Sequence, residues 1–317
     1  MENDPEILTN FTPMFAKRSH KKQYRKAEDL LKYLYFRETD HTGFGMESAP
    51  AGLLKDKERL LAILRREGWV EPGSERLTEA GRRRARDLIR RHRLFEVYLS
   101  EQTGHHPVWW HRLAEGREHY LTDDDIRRLE EYLGFPLLDP HGDPIPTAEG
   151  EWVARRSMAL DKAAPGQVVR ILHIEDEPES LLRRILAYGF YPGGLIKIID
   201  RTPRELFVAF EGERLMVPVE VARHVAVEPV DETTWNDRVF RLTYLTKGRE
   251  ACIVRLADDL RGLPRQRLLD LGFVPGTRVW VYLVSPLGEP VAYHVRGSHI
   301  ALRREQSDKI LVELCRD

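Results

Sequence analysis

From His111 to Leu121 the chain reads HRLAEGREHYL. On a helix, His111, Glu115, Glu118 and His119 fall at i, i+4, i+7 and i+8 and share a face about 100° wide. Two imidazoles and two carboxylates on one stripe are a donor set for a divalent transition metal. A single HxxxE pair reads equally as a solvated charged face, but a second pair, His92 and Glu96 in RRHRLFEVYL, stands upstream. Two such stripes, each backed by apolar residues, favour metal. His111 and His119 lie roughly 12 Å apart along a helix axis, too far to hold one ion together. The simplest division gives His111 to a site with His92 and Glu96. Glu115, Glu118 and His119 then form a second site that needs one further ligand.

The elements that must carry these residues can be read from periodicity. Leu30, Leu31, Leu34 and Tyr35 give helical spacing between Tyr24 and Phe36, and Leu60, Leu61 and Leu64 mark the buried face of a second helix over 56–67 that Gly68 closes. WVEPGSERLT reads as two short strands around Pro72-Gly73, and Glu79 to Leu99 as a long helix. Helix, short helix (MESAPAGLL), helix, wing and helix is the order of a winged helix-turn-helix. Thr122 opens a helix reaching Leu133, a proline-rich loop follows, and a last helix is expected from Thr147 to Met158. Beyond Ala164-Pro165-Gly166, RILAYGFYPGG and RLLDLGFVPGT repeat at an offset of 83 residues. With β-rich flanks, the repeat predicts two small β-barrels in tandem.

With 42% hydrophobic and 32% charged residues the composition is that of a charge-rich globular protein, and no apolar run approaches the roughly 18 residues of a membrane span. MENDPEIL lacks the basic and apolar regions of a secretory signal, so a cytoplasmic location is expected. Cys252 and Cys315 are far apart and form no CxxC, which argues against a disulfide framework or thiolate zinc site. From Lys17 to Arg93 there are 21 Lys and Arg against 12 Asp and Glu. That excess suits a phosphate-backbone binder, and a solvated helical surface explains it as well.

RLTEAGRRRARDLIRRHRLFEVYL, LAEGREHYLTDDDIRRLEEYLG and DPHGDPIP resemble the iron- and manganese-dependent repressors related to the diphtheria toxin repressor. The two C-terminal repeats resemble the FeoA-type SH3-like domain, the second throughout PLGEPVAYHVRG and IALRREQSDKILVEL. Similar repressors carry a single such domain. The resemblance implies that His92, Glu96 and His111 form an ancillary metal site, and Glu115, Glu118 and His119 a primary one, where iron-type members carry Cys at the position of Glu115. Asp29 matches the missing fourth ligand, and Lys32 stands where manganese-type members have another carboxylate. Glu177 and Glu179 are candidates for further ancillary ligands.

The fold expected is multidomain, α then β: a mobile basic tail (1–22), a winged helix-turn-helix (23–86), a helical metal-binding and dimerisation domain (87–160) and two SH3-like small β-barrels (161–232 and 239–317). The function expected is a metal-responsive transcriptional regulator, a repressor of metal-ion homeostasis and not an enzyme. Mn(II) or Fe(II), two ions per subunit, would activate a homodimer on duplex operator DNA. Lys55, Lys57 and Arg59 on the recognition helix, Arg76 on the wing, and the arm residues Lys21, Lys22 and Lys26 would meet the DNA, although Asp56 and Glu58 place negative charge beside them. The alternative is a metal-sensing accessory protein that touches a ferrous iron transporter through its FeoA-like domains, its winged helix vestigial.

Overall fold

Ala27, Leu30, Leu31, Leu34 and Tyr35 recur every three or four residues and form the buried face of helix α1 (Arg18–Thr39). The computed structural model describes residues 18–39, 55–103, 105–152 and 155–315. These fall into two units, the first up to Phe95 with Arg112–Phe135 and Ile145–Trp152, the second of Glu96–His111, Pro136–Pro144 and the residues after Trp152.

In the first unit, Leu60, Leu61 and Leu64 of α2 (Lys57–Arg66) join the α1 face, together with Val70, Leu77, Ala85, Leu88 and Ile89, in one core. Gly68, at φ 72°, ends α2: its N–H reaches Arg65 O and the Trp69 N–H reaches Leu64 O, which satisfies two terminal carbonyls. The expected wing is reduced to a single antiparallel bridge, Val70 to Leu77. At the start of α3 (Glu79–Gln102), a Cβ on Gly81 would lie 2.0 Å from Trp69 O, so only glycine lets the helix rest on the backbone at Trp69. α4 (Trp110–Arg117) and α5 (Asp123–Tyr132) follow, the latter opened by a Thr122 capping box.

In the second unit, β1 (Met158–Ala159), β2 (Val168–Ile174), α6 (Glu179–Ala187), β3 (Leu195–Arg201), β4 (Glu205–Phe210), β5 (Glu213–Pro218), α7 (Val219–Ala222) and β6 (Val225–Val230) build an antiparallel sheet of order β1-β6-β2-β3-β4-β5. β7 (Phe240–Arg241), β8 (Glu250–Leu256), α8 (Gly262–Asp270), β9 (Arg278–Val284), β10 (Val291–Val295), β11 (Ser298–Leu302), α9 (Arg304–Ser307) and β12 (Ile310–Leu314) build a second, β11-β10-β9-β8-β12-β7. The sequence repeat is structural, since α6 and β3 recur as α8 and β9 at the same offset of 83 residues. The β4–β5 turn carries Glu211 at φ 47° and Gly212 at φ 90°, the left-handed pair that a tight hairpin needs. Buried Glu211 accepts hydrogen bonds from the Tyr191 hydroxyl and, at 2.8 Å, from Arg241 Nε beyond the first sheet. This network ties the two sheets together.

Three expectations are corrected. Residues 147–152 and 155–157 are not helical, because Gly150 adopts φ 86° and the Thr147 hydroxyl and carbonyl close a turn there. Arg18–Lys22 belong to α1 and not to a mobile tail; residues 1–17 and the MESAPAGLL segment as far as Leu54 lie outside the described residues. Cys252 and Cys315 form a disulfide with Cα atoms 5.3 Å apart. Antiparallel pairing sets Cys252 opposite Glu313, so residues 63 apart in sequence become neighbours. No helix among the described residues is long and apolar enough to cross a membrane.

The loop at 136–144 seats on β2: Gly142 has φ 96°, and a Cβ there would lie 1.9 Å from Leu172 O. Gly142→Ala is expected to cost on the order of 2–3 kcal/mol, read as a lower urea midpoint; an unchanged midpoint would mean that the loop is not seated on β2.

Candidate metal centres

Among the described residues, metal-ligating side chains cluster within each unit. In the first, α1 supplies Glu28, Asp29 and Lys32, one turn apart, and the chain after α4 supplies Glu118 and His119. α4 ends at Arg117, and Glu118–Tyr120 is a tighter 3-10 turn. The expected stripe is therefore not one α-helical face: Glu118 is driven fully inward while Glu115 stays exposed. Ligand atoms of Asp29, Glu118 and His119 lie within 4.8 Å of one another, and Glu115 stands outside that group.

The geometry fits a divalent ion. His119 Nδ1 is 2.7 Å from Glu28 Oε2, which Arg84 holds in place, so the ring presents Nε2 inward. A carboxylate on the outer nitrogen is the usual support of a metal-binding imidazole. Nε2 lies 3.2 Å from Asp29 Oδ1, a buried oxygen that makes no hydrogen bond. Glu118 is engaged otherwise: Lys32 Nζ donates to Oε1 at 2.5 Å, and His92 Nδ1 lies 2.5 Å from Oε2. Burial alone would raise the Glu118 carboxyl; the charges of Lys32 and His92 overcome it and hold the group at about 2. Burial would likewise lower His119, but Asp29, Glu28 and Glu118 bring it up to about 9.

In the second unit, the last turns of α3 bring Glu96, and His111 and the 136–144 loop bring the rest. His111 Nδ1 is 2.8 Å from Asp176 Oδ2 and its Nε2 is 3.0 Å from Glu177 Oε1. Asp139, 2% exposed, accepts from the His141 and Asp143 N–H groups and so shapes its own loop. His141 is 1% exposed and neither ring nitrogen is hydrogen-bonded; Nδ1 lies 3.8 Å from Glu96 and 3.6 Å from Asp176. Glu96, Asp139 and His141 can converge on one ion. A buried imidazole held just outside hydrogen-bond reach of two carboxylates fits an ion between them. Burial would lower His141 and His111, yet Glu96 and Asp176 raise the first to about 10 and Asp176, Glu177 and Glu96 put the second well above its usual value. Burial and the Asp176 and Asp143 charges push Glu175 up to about 8.

His92, one turn before Glu96 on α3, is placed against Glu118 in the first unit. Glu177 reaches His111, whereas Glu179 forms an exposed i,i+4 pair with Arg183 at 2.7 Å. Asp139, His141 and Asp176 escaped the sequence reading. Asp-x-His inside DPHGDP and the acidic run EDEPE were their only signals.

Among the DNA-facing candidates, Lys22, Lys55, Arg59 and Arg76 are exposed, and Lys21's side chain lies outside the description. Lys57 pairs with Glu75 at 2.5 Å, and Lys26 with Asp56 at 3.3 Å. Hydrogen bonds from Lys57 and Arg37 lower the Glu75 carboxyl, so Glu75 partly neutralises cations of α1 and α2.

The profile of the iron dependent repressor, metal binding and dimerisation domain matches residues 78–147, and that of the FeoA domain matches 158–229 and 240–314. The iron-dependent repressor IdeR of Mycobacterium leprae is 28% identical over 184 residues, 53% of this chain and 80% of that protein. An Fe(2+) transport protein A/Fe(2+) transporter FeoB fusion protein of Porphyromonas gingivalis is 43% identical over 74 residues, of which the chain spans 8% of that protein's length. A manganese-dependent transcriptional repressor solved in complex with manganese superposes with a TM-score of 0.56 at 26% identity, over 64% of this chain and 100% of that one.

The raised imidazoles set the pH dependence of the metal-free protein. Stability from protonated His119 and His141 is complete below about 6.5 and is lost as pH rises through about 9 and 10. The urea midpoint after chelation is expected to fall between pH 7 and 10; a flat or rising midpoint would contradict these charge assignments.

Proposed function

We propose that this chain, which carries the metal-binding and dimerisation domain of the iron-dependent repressors ahead of two FeoA domains, is a metal-dependent transcriptional repressor of metal-ion homeostasis. The observation that carries the reading is the buried Asp29–Glu118–His119 cluster, with Glu28 supporting His119 from behind. The oxygen and nitrogen donors of both clusters suit Mn(II) or Fe(II). Asp29, Glu118 and His119 would hold one ion; Glu96, His111, Asp139, His141, Asp176 and Glu177 would hold another.

A bound divalent ion supplies positive charge that offsets the Asp29 and Glu118 carboxylates. Asp29 lies on α1, which packs on α2, and Glu118 and His119 lie on the chain after α4. Bringing these carboxylates together therefore fixes α1 and α2 against the rest of their unit. That is a shift toward one arrangement by a ligand favouring it. In this reading residues 23–86 are a winged helix whose recognition helix is α2, and the two sheets are SH3-like barrels. Exposed Trp109, Tyr132, Phe135 and Leu137 support a homodimer through the helical region around 96–158. The protein works in the cytoplasm on duplex operator DNA. Its nearest rival, an accessory role at a ferrous iron transporter, draws on the 43% match to the fusion protein and requires no DNA affinity.

Metal uptake has a direct check. Because His119 and His141 hold protons at neutral pH, Mn(II) binding is expected to release protons and to tighten as pH rises from 6.5 to 9. Calorimetry on Glu28→Gln is expected to show about 10- to 100-fold weaker binding at one site, and on Asp176→Asn at the other. If both variants bind as the parent does, the ligand assignment is wrong.

DNA binding has its own. Metal-loaded protein should bind its upstream duplex with an affinity that drops steeply with salt, and Lys57→Ala with Arg59→Ala should weaken binding while metal affinity holds. Glu75→Gln frees Lys57 and Arg37 and is expected to tighten it. No salt-sensitive DNA affinity in metal-loaded protein would favour the accessory role.

A further inference from the structure

Lys32 sits among the first cluster's acids, its Nζ 2.5 Å from Glu118 Oε1, and only 7% of the residue is exposed. Asp29 and Glu118, whose ligand atoms converge beside it, bring two carboxylates to this ammonium. One divalent ion added to the ammonium already sets three positive charges against those two negative ones, and a second ion would set five. Lys32 holds one Glu118 oxygen and His92 lies against the other, so a single ion already shares Glu118 with both.

We propose that the Lys32 ammonium is a built-in counter-ion that takes the place of a second divalent ion and limits the first cluster to one. The proposal rests on the reading of that cluster as a metal site. Lys32 then competes with the bound ion for Glu118 and weakens its hold, so the first cluster responds only at a higher metal concentration than its acids alone would set.

Full-length protein carrying Glu96→Gln, His141→Gln and Asp176→Asn, which together disable the second cluster, isolates the effect. Equilibrium dialysis with Mn(II), read by elemental analysis and electron paramagnetic resonance, is expected to give one ion per chain. Adding Lys32→Glu supplies a third carboxylate in place of the cation. It is expected to give two ions per chain with a spectrum broadened by coupling between them. Lys32→Met removes the cation without adding a ligand and is expected to keep one ion, bound at least tenfold tighter. Two ions in the Lys32 background, one ion with Lys32→Glu, or unchanged affinity with Lys32→Met would each overturn the proposal. No ion in any of the three proteins, with each folded by circular dichroism, would instead overturn the reading of the cluster as a metal site.

Discussion

Glu118 has no exposed surface, and a carboxylate so placed stays ionised only where cations meet both oxygens. Lys32 reaches it from α1 and His92 from α3, so one buried charge binds three segments of the first unit at a single point. Removing either partner leaves charge uncompensated in the interior, a loss of about 3–5 kcal/mol in comparable buried pairs. α1 is thus held at the cluster by electrostatics as well as by the leucine core that it shares with α2.

The second cluster meets the same constraint by different means. The groups that shift Asp176, His111 and His141 are one another and neighbouring acids, with His111 and His141 as the cations. Glu175 escapes by taking up a proton near neutrality. A cluster balanced by imidazolium protons exchanges them for a metal ion readily, whereas the Lys32 ammonium cannot leave. The two centres therefore differ in how much cation they can still accept. Buried Glu211, closed by Arg241 and the Tyr191 hydroxyl, shows the same rule applied with no metal-binding consequence, as a fastening between the two sheets.

Much of this was legible in the sequence where local periodicity governs. The leucine stripes of α1 and α2, the Thr122 cap and the 83-residue repeat all depend on contacts within a few residues or on whole repeated units. The first cluster was partly legible: Glu118, His119 and Asp29 converge, but Glu115 does not, because the step of about 100° per residue fails once the helix tightens after Arg117. Asp139 and His141 were missed because their placement depends on a glycine loop seated on β2, a contact with no periodic signature. The Cys252–Cys315 pair was hidden for a similar reason, since only strand register makes the two neighbours. Glu28 was overlooked beside Asp29, although adjacent helical residues can face a site and its support at once.

If both clusters are metal centres and Lys32 keeps the first to a single ion, crystals grown with Mn(II) and measured at the manganese absorption edge will show one anomalous peak among Asp29, Glu118 and His119. They will show another among Glu96, Asp139, His141 and Asp176, with Lys32 still beside Glu118. An empty first cluster, or two peaks within it, is the opposite result.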